Sequence, residues 1–400
     1  MEQPARWVET WGMAHTSLIM MSFRSQQRTF RLVIHSAIAG EKARIRLCNK
    51  YSPNAVEIGH ANIALCDAQG RISDPKSVCP LTFNGGKSHT LGAGATVISD
   101  AADFEVPADA YLCVNVYMKS GKLRSGNLLN NAGFLHAKGD HAAAPLFAHQ
   151  KRPMDSVFDF AGRLLGMTLQ MPVPLFQSLE LLNSGGASSI VLFGDSLTQQ
   201  GFWSSIFERQ IRSLYPGRYS VINKGINGNR VLRDAGNRLP LKGFFGTKAL
   251  ERVWDDVLAF DGISFVNFCL GTNDFLQPGT IAAPKSETAT AREIAAGIEK
   301  IAAMIRERGI TLLGMNFVPI GSCKDTTPQK NKLRAEMNEW FDASNDFDHK
   351  FDIYSAFVSS EDSDCPVPSY VGKDKTHPNE LGGEAMTAAV DYAVFAENVK

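Results

Sequence analysis

A chain of 400 residues is longer than a single hydrophobic core usually organises, so two domains are expected. Lys and Arg total 41 and so do Asp and Glu, and the resulting formal net charge of zero excludes a whole-molecule field that would draw the chain to nucleic acid or an anionic membrane. The seven cysteines are scattered, with no C-x-x-C pair, and read as free thiols in a reducing compartment. The amino terminus has no charged-then-apolar signal pattern and no apolar run is long enough to span a bilayer, so a cytoplasmic address without membrane insertion is expected, or secretion if a leader has been removed.

From residue 7 to about residue 182 the hydrophobic period is two. Phe30, Leu32 and Ile34 alternate with Arg31 and Val33; Ala43, Ile45 and Leu47 alternate with Arg44 and Arg46; Leu112, Val114, Val116 and Met118 repeat the pattern. Turn-forming stretches such as Tyr51-Ser52-Pro53-Asn54 and Asn84-Gly85-Gly86 separate these runs. The expectation is an all-β sandwich of the jelly-roll type over residues 1–183. His136, His141 and His149 fall within it at no spacing that matches a metal site, and are read as solvated loop histidines.

The small, polar stretch Asn183-Ser184-Gly185-Gly186-Ala187-Ser188 is the best linker in the chain, and residues 184–400 form the second expected domain. There the period changes. Strand-like runs at 190–193, 219–222, 263–270, 311–318 and 350–354 alternate with helical patterns at 201–214, 247–260, 329–343 and 379–397. A further helix carries Ile294, Ile298, Ile301 and Ile305 on one stripe, opens on a capping box from Thr290 to Glu293, and stops at Gly309. Five βα units imply a parallel five-stranded, flavodoxin-like sheet covered by helices on both faces, with ligands at its carboxyl edge.

Four segments fall at that edge. They are Gly194-Asp195-Ser196-Leu197, then Asn223-Lys224-Gly225-Ile226-Asn227-Gly228, then Gly271-Thr272-Asn273-Asp274, and Asp374-Lys375-Thr376-His377. Together they resemble the SGNH/GDSL hydrolase family, whose blocks G-D-S-[LI], N-x-x-x-x-G, G-x-N-D and D-x-x-H are all matched in order. The resemblance implies Ser196 as nucleophile, His377 as general base and then acid, and Asp374 as the group that orients the imidazole. It further implies an oxyanion hole made of the backbone N–H groups of Ser196 and Gly228 and the side-chain amide of Asn273. No G-x-S-x-G elbow occurs, which argues against the α/β-hydrolase route to the same chemistry.

Asp195 and Asp274 are read as braces of their loops, with Asp195 also a candidate substrate contact. Phe202, Trp203 and Phe275 are candidate apolar walls of the site, core packing being the alternative. Arg230, with Arg233 nearby, is a candidate contact for a polar or anionic substrate group, a salt-bridged loop being the alternative.

The first domain is also familiar: Trp7-Val8-Glu9-Thr10-Trp11, Leu81-Thr82-Phe83-Asn84-Gly85-Gly86 and Gly139-Asp140-His141 resemble the β-domain of two-domain bacterial GDSL esterases grouped with carbohydrate esterases. The expected activity is therefore hydrolysis of short acyl esters, acetyl above all, on a carbohydrate or similar polyol, without a cofactor or metal. A lysophospholipase, a thioesterase or an acyltransferase would use the same triad, and a catalytically silent carbohydrate-binding protein is the reading from another class.

Overall fold

The computed structural model describes residues 4–19, 22–128, 132–150, 171–236 and 242–396. The amino-terminal strands are β1 (Arg6–Gly12), β2 (Arg28–Ser36), β3 (Gly40–Cys48), β4 (Val56–Leu65), β5 (Cys79–Leu81), β6 (Ala102–Val106), β7 (Ala110–Ser120), β8 (Gly133–Lys138) and β9 (Phe176–Asn183). They form two antiparallel sheets in the orders β1-β9-β3-β6 and β8-β2-β7-β4-β5, so the chain crosses between sheets at most steps, which is jelly-roll wrapping. Register explains the core: Ile34, Leu32 and Phe30 of β2 stand opposite Leu112, Val114 and Val116 of β7, and all six are buried between the sheets.

The other face of this second sheet departs from expectation. Arg31 is fully buried there because the segments carrying Gly70 and Ala144 cover it, and its guanidinium donates to both carbonyls at 2.8 and 2.7 Å. His136 is likewise not a solvated loop residue: it lies buried in β8, with its Nδ1 2.8 Å from Arg28 and its ring centroid 4.7 Å from that of His149. His141 is a loop residue, its Nε2 2.8 Å from the Lys138 carbonyl.

The carboxyl-terminal strands are β10 (Ser188–Gly194), β11 (Tyr219–Asn223), β12 (Ile263–Cys269), β13 (Thr311–Met315) and β14 (His349–Phe351). All neighbours are parallel, in the order β11-β10-β12-β13-β14, the doubly wound flavodoxin-like arrangement. Winding reverses at β10, since the chain steps to one side for β11 and to the other for β12, and the crevice so opened is where such sheets bind ligands. Separate apolar clusters cover the two faces, one including Ile294, Ile298, Ile301 and Ile305 of helix Ala291–Arg306 and the other Trp203, Phe207 and Phe357.

Four local expectations are revised, and one of them is the run at 311–318, which is strand only to Met315. The run at 350–354 is strand only to Phe351, because the Asp352 carboxylate caps a new turn, Ile353–Phe357, by accepting the Ser355 N–H. The helix expected over 379–397 ends at Ala388, and a 3₁₀ turn at Tyr392–Phe395 follows, capped by Asp391. The helix over 247–260 is α only at Ala249–Val253 and continues as a π turn at Trp254–Leu258.

The two halves share a polar seam. The Glu9 carboxylate of β1 is 2.7 Å from Lys224 Nζ with both side chains fully buried, and the Glu9 carbonyl accepts the hydroxyls of Ser189 and Ser220.

Candidate active site

The first block begins where β10 runs out. A Cβ on Gly194 would lie 2.0 Å from Thr198 Oγ1 and 3.0 Å from the Cys269 carbonyl, so the chain can bend over this point only without a side chain. Asp195 then caps the short helix Ser196–Gln199 by accepting the Leu197 N–H, and this turn lifts Ser196 to a half-exposed position.

The fourth block approaches from the far end of the chain. Asp374 Oδ1 accepts the backbone N–H groups of Thr376 and His377, each at 3.0 Å, and Lys375, between Asp374 and Thr376, takes φ +58°. That tight turn leaves Asp374 Oδ2 2.7 Å from His377 Nδ1, and His377 Nε2 is 2.8 Å from Ser196 Oγ. A carboxylate only accepts, so Nδ1 carries the proton, Nε2 of the neutral ring is the acceptor, and the Ser196 hydroxyl donates to it. Partial burial raises the Asp374 carboxyl, but its hydrogen bond and charge interaction with His377 and the two N–H groups outweigh this and bring it down to about 2.

The second and third blocks close the floor. Residues 226–229 form a turn sealed by Asn229 N–H to the Ile226 carbonyl at 3.1 Å, with Gly228 at φ +69°. A positive φ at the third residue of such a turn decides which way the Gly228 N–H faces, and a Cβ there would also meet the Phe245 ring at 2.4 Å. Asn273 lies on the short helix Thr272–Leu276, and its Nδ2 donates to Asp195 Oδ2 at 3.1 Å. The adjacent Asp274 carboxylate accepts the N–H groups of Val231 and Leu232 at 2.7 and 3.0 Å, so it braces the segment after the second block. Burial pushes Asp195 and Asp274 each up to about 6 against these donors and against His377 and Arg252 at Asp195 and Arg230 at Asp274.

Of the anticipated substrate contacts, only Phe202 is partly exposed. Trp203 has no exposed surface and packs edge-on against Phe207, and Phe275 is buried against Phe317, so both line the core rather than the crevice. Arg230 is 1 % exposed and bonded to Glu287 at 2.6 Å and to the Asp234 carbonyl, so its charge is spent inside the fold. Asp195 is buried behind Ser196 and held by Leu197 and Asn273, which makes it a brace and not a substrate contact.

Three supporting residues escaped the sequence reading. Arg252 sits buried beneath the site and donates to the carbonyls of Gly194 and Lys224 and to Asn229 Oδ1, at 2.8 to 2.9 Å, tying the first block to the second. Gln277 Nε2 reaches the Gly228 carbonyl at 2.7 Å and Asn273 Oδ1 at 3.2 Å; its position four residues after Asn273 was a signal in the sequence, since side chains so spaced meet on a helical turn. Asn127, from the sandwich, donates to the Gly225 carbonyl at 3.1 Å, and no local pattern announced it.

A doubly wound α/β sheet with a Ser-His-Asp chain at its switch point defines an acylhydrolase. Residues 192–385 match the family of GDSL-like lipases and acylhydrolases. No curated protein matches the chain. Among solved structures, a GDSL-like lipase from Bacteroides thetaiotaomicron is similar, with 19% identity over 52% of this chain and 89% of that one and a TM-score of 0.37. So are a variant of an acetyl xylan esterase from Geobacillus stearothermophilus, 19% identical over 51% and 93% with a TM-score of 0.38, and a lipase/acylhydrolase from Enterococcus faecalis, 19% identical over 52% and 96% with a TM-score of 0.37.

Proposed function

We propose that the protein is a serine esterase that removes short acyl groups, acetyl above all, from a carbohydrate or similar small polyol. The observation that carries this reading is the unbroken chain from Asp374 to His377 to Ser196, with links of 2.7 and 2.8 Å. Ser196 Oγ attacks the ester carbonyl as Nε2 of His377 takes its proton, and the ionised Asp374 stabilises the imidazolium so formed. The N–H groups of Ser196 and Gly228 and the Asn273 amide receive the oxyanion. The imidazolium then protonates the departing alcohol, and water drawn to the same base releases the acid from the acyl-enzyme.

Short acyl groups are favoured because the large aromatic side chains beside the site, Trp203 and Phe275, are packed into the core instead of being offered to a long chain. A carbohydrate is favoured by the pairing of a jelly-roll sandwich with this hydrolase domain, whose Ile226-Asn227-Gly228-Asn229-Arg230 segment resembles that of the two-domain carbohydrate esterases.

The test is a chain-length series of p-nitrophenyl esters assayed beside acetylated sugars. Activity should be greatest on acetyl and fall with chain length, and Ser196→Ala should lose at least about two orders of magnitude in turnover together with fluorophosphonate labelling. Preference for a long acyl chain or for a thioester would replace the substrate assignment with the lysophospholipase or thioesterase reading. An active Ser196→Ala protein would overturn the site itself.

A further inference from the structure

Gly228 and Asn273 come from different loops, after β11 and β12, yet an oxyanion hole requires that their donors keep a fixed separation. One side chain spans that gap. Gln277 is the residue that ends the turn Thr272–Leu276, and its Nε2 donates to the Gly228 carbonyl at 2.7 Å and to Asn273 Oδ1 at 3.2 Å. An amide nitrogen carries two protons and accepts nothing, so both protons of Gln277 are committed to this bridge.

The bridge has a directional consequence. Because Gln277 presents only N–H to Asn273, the atom of Asn273 facing it is the oxygen, and Nδ2 is turned the other way. One Nδ2 proton goes to Asp195 Oδ2 at 3.1 Å, leaving the second for an oxyanion beside Ser196. At the other end, the bond to the Gly228 carbonyl fixes the exit of the turn whose positive φ aims the Gly228 N–H. Gln277 is itself 8 % exposed.

We propose that Gln277 is a positioning residue for the oxyanion hole, setting the amide orientation of Asn273 and the aim of the Gly228 N–H together. The proposal rests on the reading of Ser196 as nucleophile and of Gly228 and Asn273 as oxyanion donors. Without Gln277 the Asn273 amide is held by its bond to Asp195 alone and its oxygen loses its donor, so the second Nδ2 proton is no longer fixed on the developing negative charge. That penalty falls on the transition state and not on bound substrate, so turnover should drop while the Michaelis constant holds.

The experiment uses the full chain. Gln277→Met removes both donors at similar volume and should lower kcat on p-nitrophenyl acetate by about tenfold to a hundredfold with KM within about twofold. The same change made in an Asn273→Ala background should cost at least about threefold less than in the wild type, because part of its action passes through Asn273. A folded Gln277→Met protein with near-normal kcat, or an equal loss in both backgrounds, overturns the proposal. Should Gln277→Met melt below the assay temperature, Gln277→Asn takes its place; it keeps a buried amide but is too short for both acceptors, and kcat should fall at least about fivefold. Retention of kcat by that variant equally overturns it. Ser196→Ala run in parallel separates the two levels: activity there defeats the site assignment, whereas an inactive Ser196→Ala beside a fully active Gln277 variant defeats only the inference.

Discussion

At the scale of single residues, the direction of proton transfer is written into which atoms accept. His377 Nδ1 faces a carboxylate that is ionised down to about pH 2, so Asp374 keeps its charge through the working range. The sign for stability follows from the same value. A carboxyl held below its unfolded pKa stabilises the fold above that unfolded value, and the contribution is lost as pH falls from about 4 toward 2. In the proposed oxyanion hole, Asn273 bears on charge that exists only in the transition state. Removing one such donor costs about 3 kcal/mol, so Asn273→Ala should lose roughly a hundredfold in kcat with little change in KM. Asn273→Asp should be at least as damaging, since it sets a carboxylate beside the Asp195 carboxylate and the oxyanion. Steady-state kinetics and melting temperature on both variants separate this role from loop bracing, which would lower stability and leave kcat nearly intact.

At the scale of elements, the helices and strands that announce themselves are those whose burial pattern is set by one neighbour. Helix Ala291–Arg306 shows the four isoleucines of its stripe buried and the Thr290–Glu293 capping box formed in both directions. Thr290→Ala removes the side-chain acceptor for the Glu293 N–H and should lower unfolding free energy by about 1 kcal/mol in a denaturant titration while leaving esterase turnover unchanged. A loss of turnover would mean that this helix steers the site. The elements that were misjudged ended where a polar side chain captured the backbone. Asp352 stops β14, and Asp391 starts a new turn after Ala388. Short polar residues of this kind favour caps and turns equally, and only the packing of Ile353, Phe357 and Phe395 decides which one forms.

At the scale of the whole molecule, the sandwich is not a passive appendage. Glu9 neutralises Lys224 at the start of the second block, Asn127 holds the Gly225 carbonyl, and the Gln199 amide donates to the Leu128 carbonyl at 2.7 Å. Excising residues 1–183 would remove the carboxylate paired with Lys224 and the carbonyl that the hydroxyls of Ser189 and Ser220 share. Burial pushes the Glu9 carboxyl up to about 7 against the opposing pull of Lys224. A folded pKa above the unfolded one means that the native state takes up a proton between about 4.5 and 7 that the unfolded chain does not, so this group's share of stability rises as pH falls through that window. Melting temperature measured from pH 7.5 to 5 should therefore lose part of its pH slope in Glu9→Gln, and an unchanged slope would show that Glu9 does not titrate there.

The sequence by itself determined the jelly roll and the doubly wound sheet, because alternation of period two and the succession of βα units follow from which faces must be buried. It also pointed to the members of the Ser-His-Asp chain, because four blocks in order resemble those of the SGNH/GDSL hydrolases, and the structure brings Asp374, His377 and Ser196 within hydrogen-bond distance. Tertiary structure alone decided which neighbours of the site face it. Trp203, Phe275 and Arg230 have the composition of pocket residues but are buried in packing and ion pairing, and nothing local distinguishes an aromatic that lines a crevice from one that fills a core. It also decided the roles of Arg252 and Asn127 and the reach of Gln277 to the Gly228 carbonyl, since these partners come from other loops, and for Asn127 from the other domain. A hydrogen bond between residues far apart in sequence leaves no period to read, and it exists only once the strands have brought its two ends together.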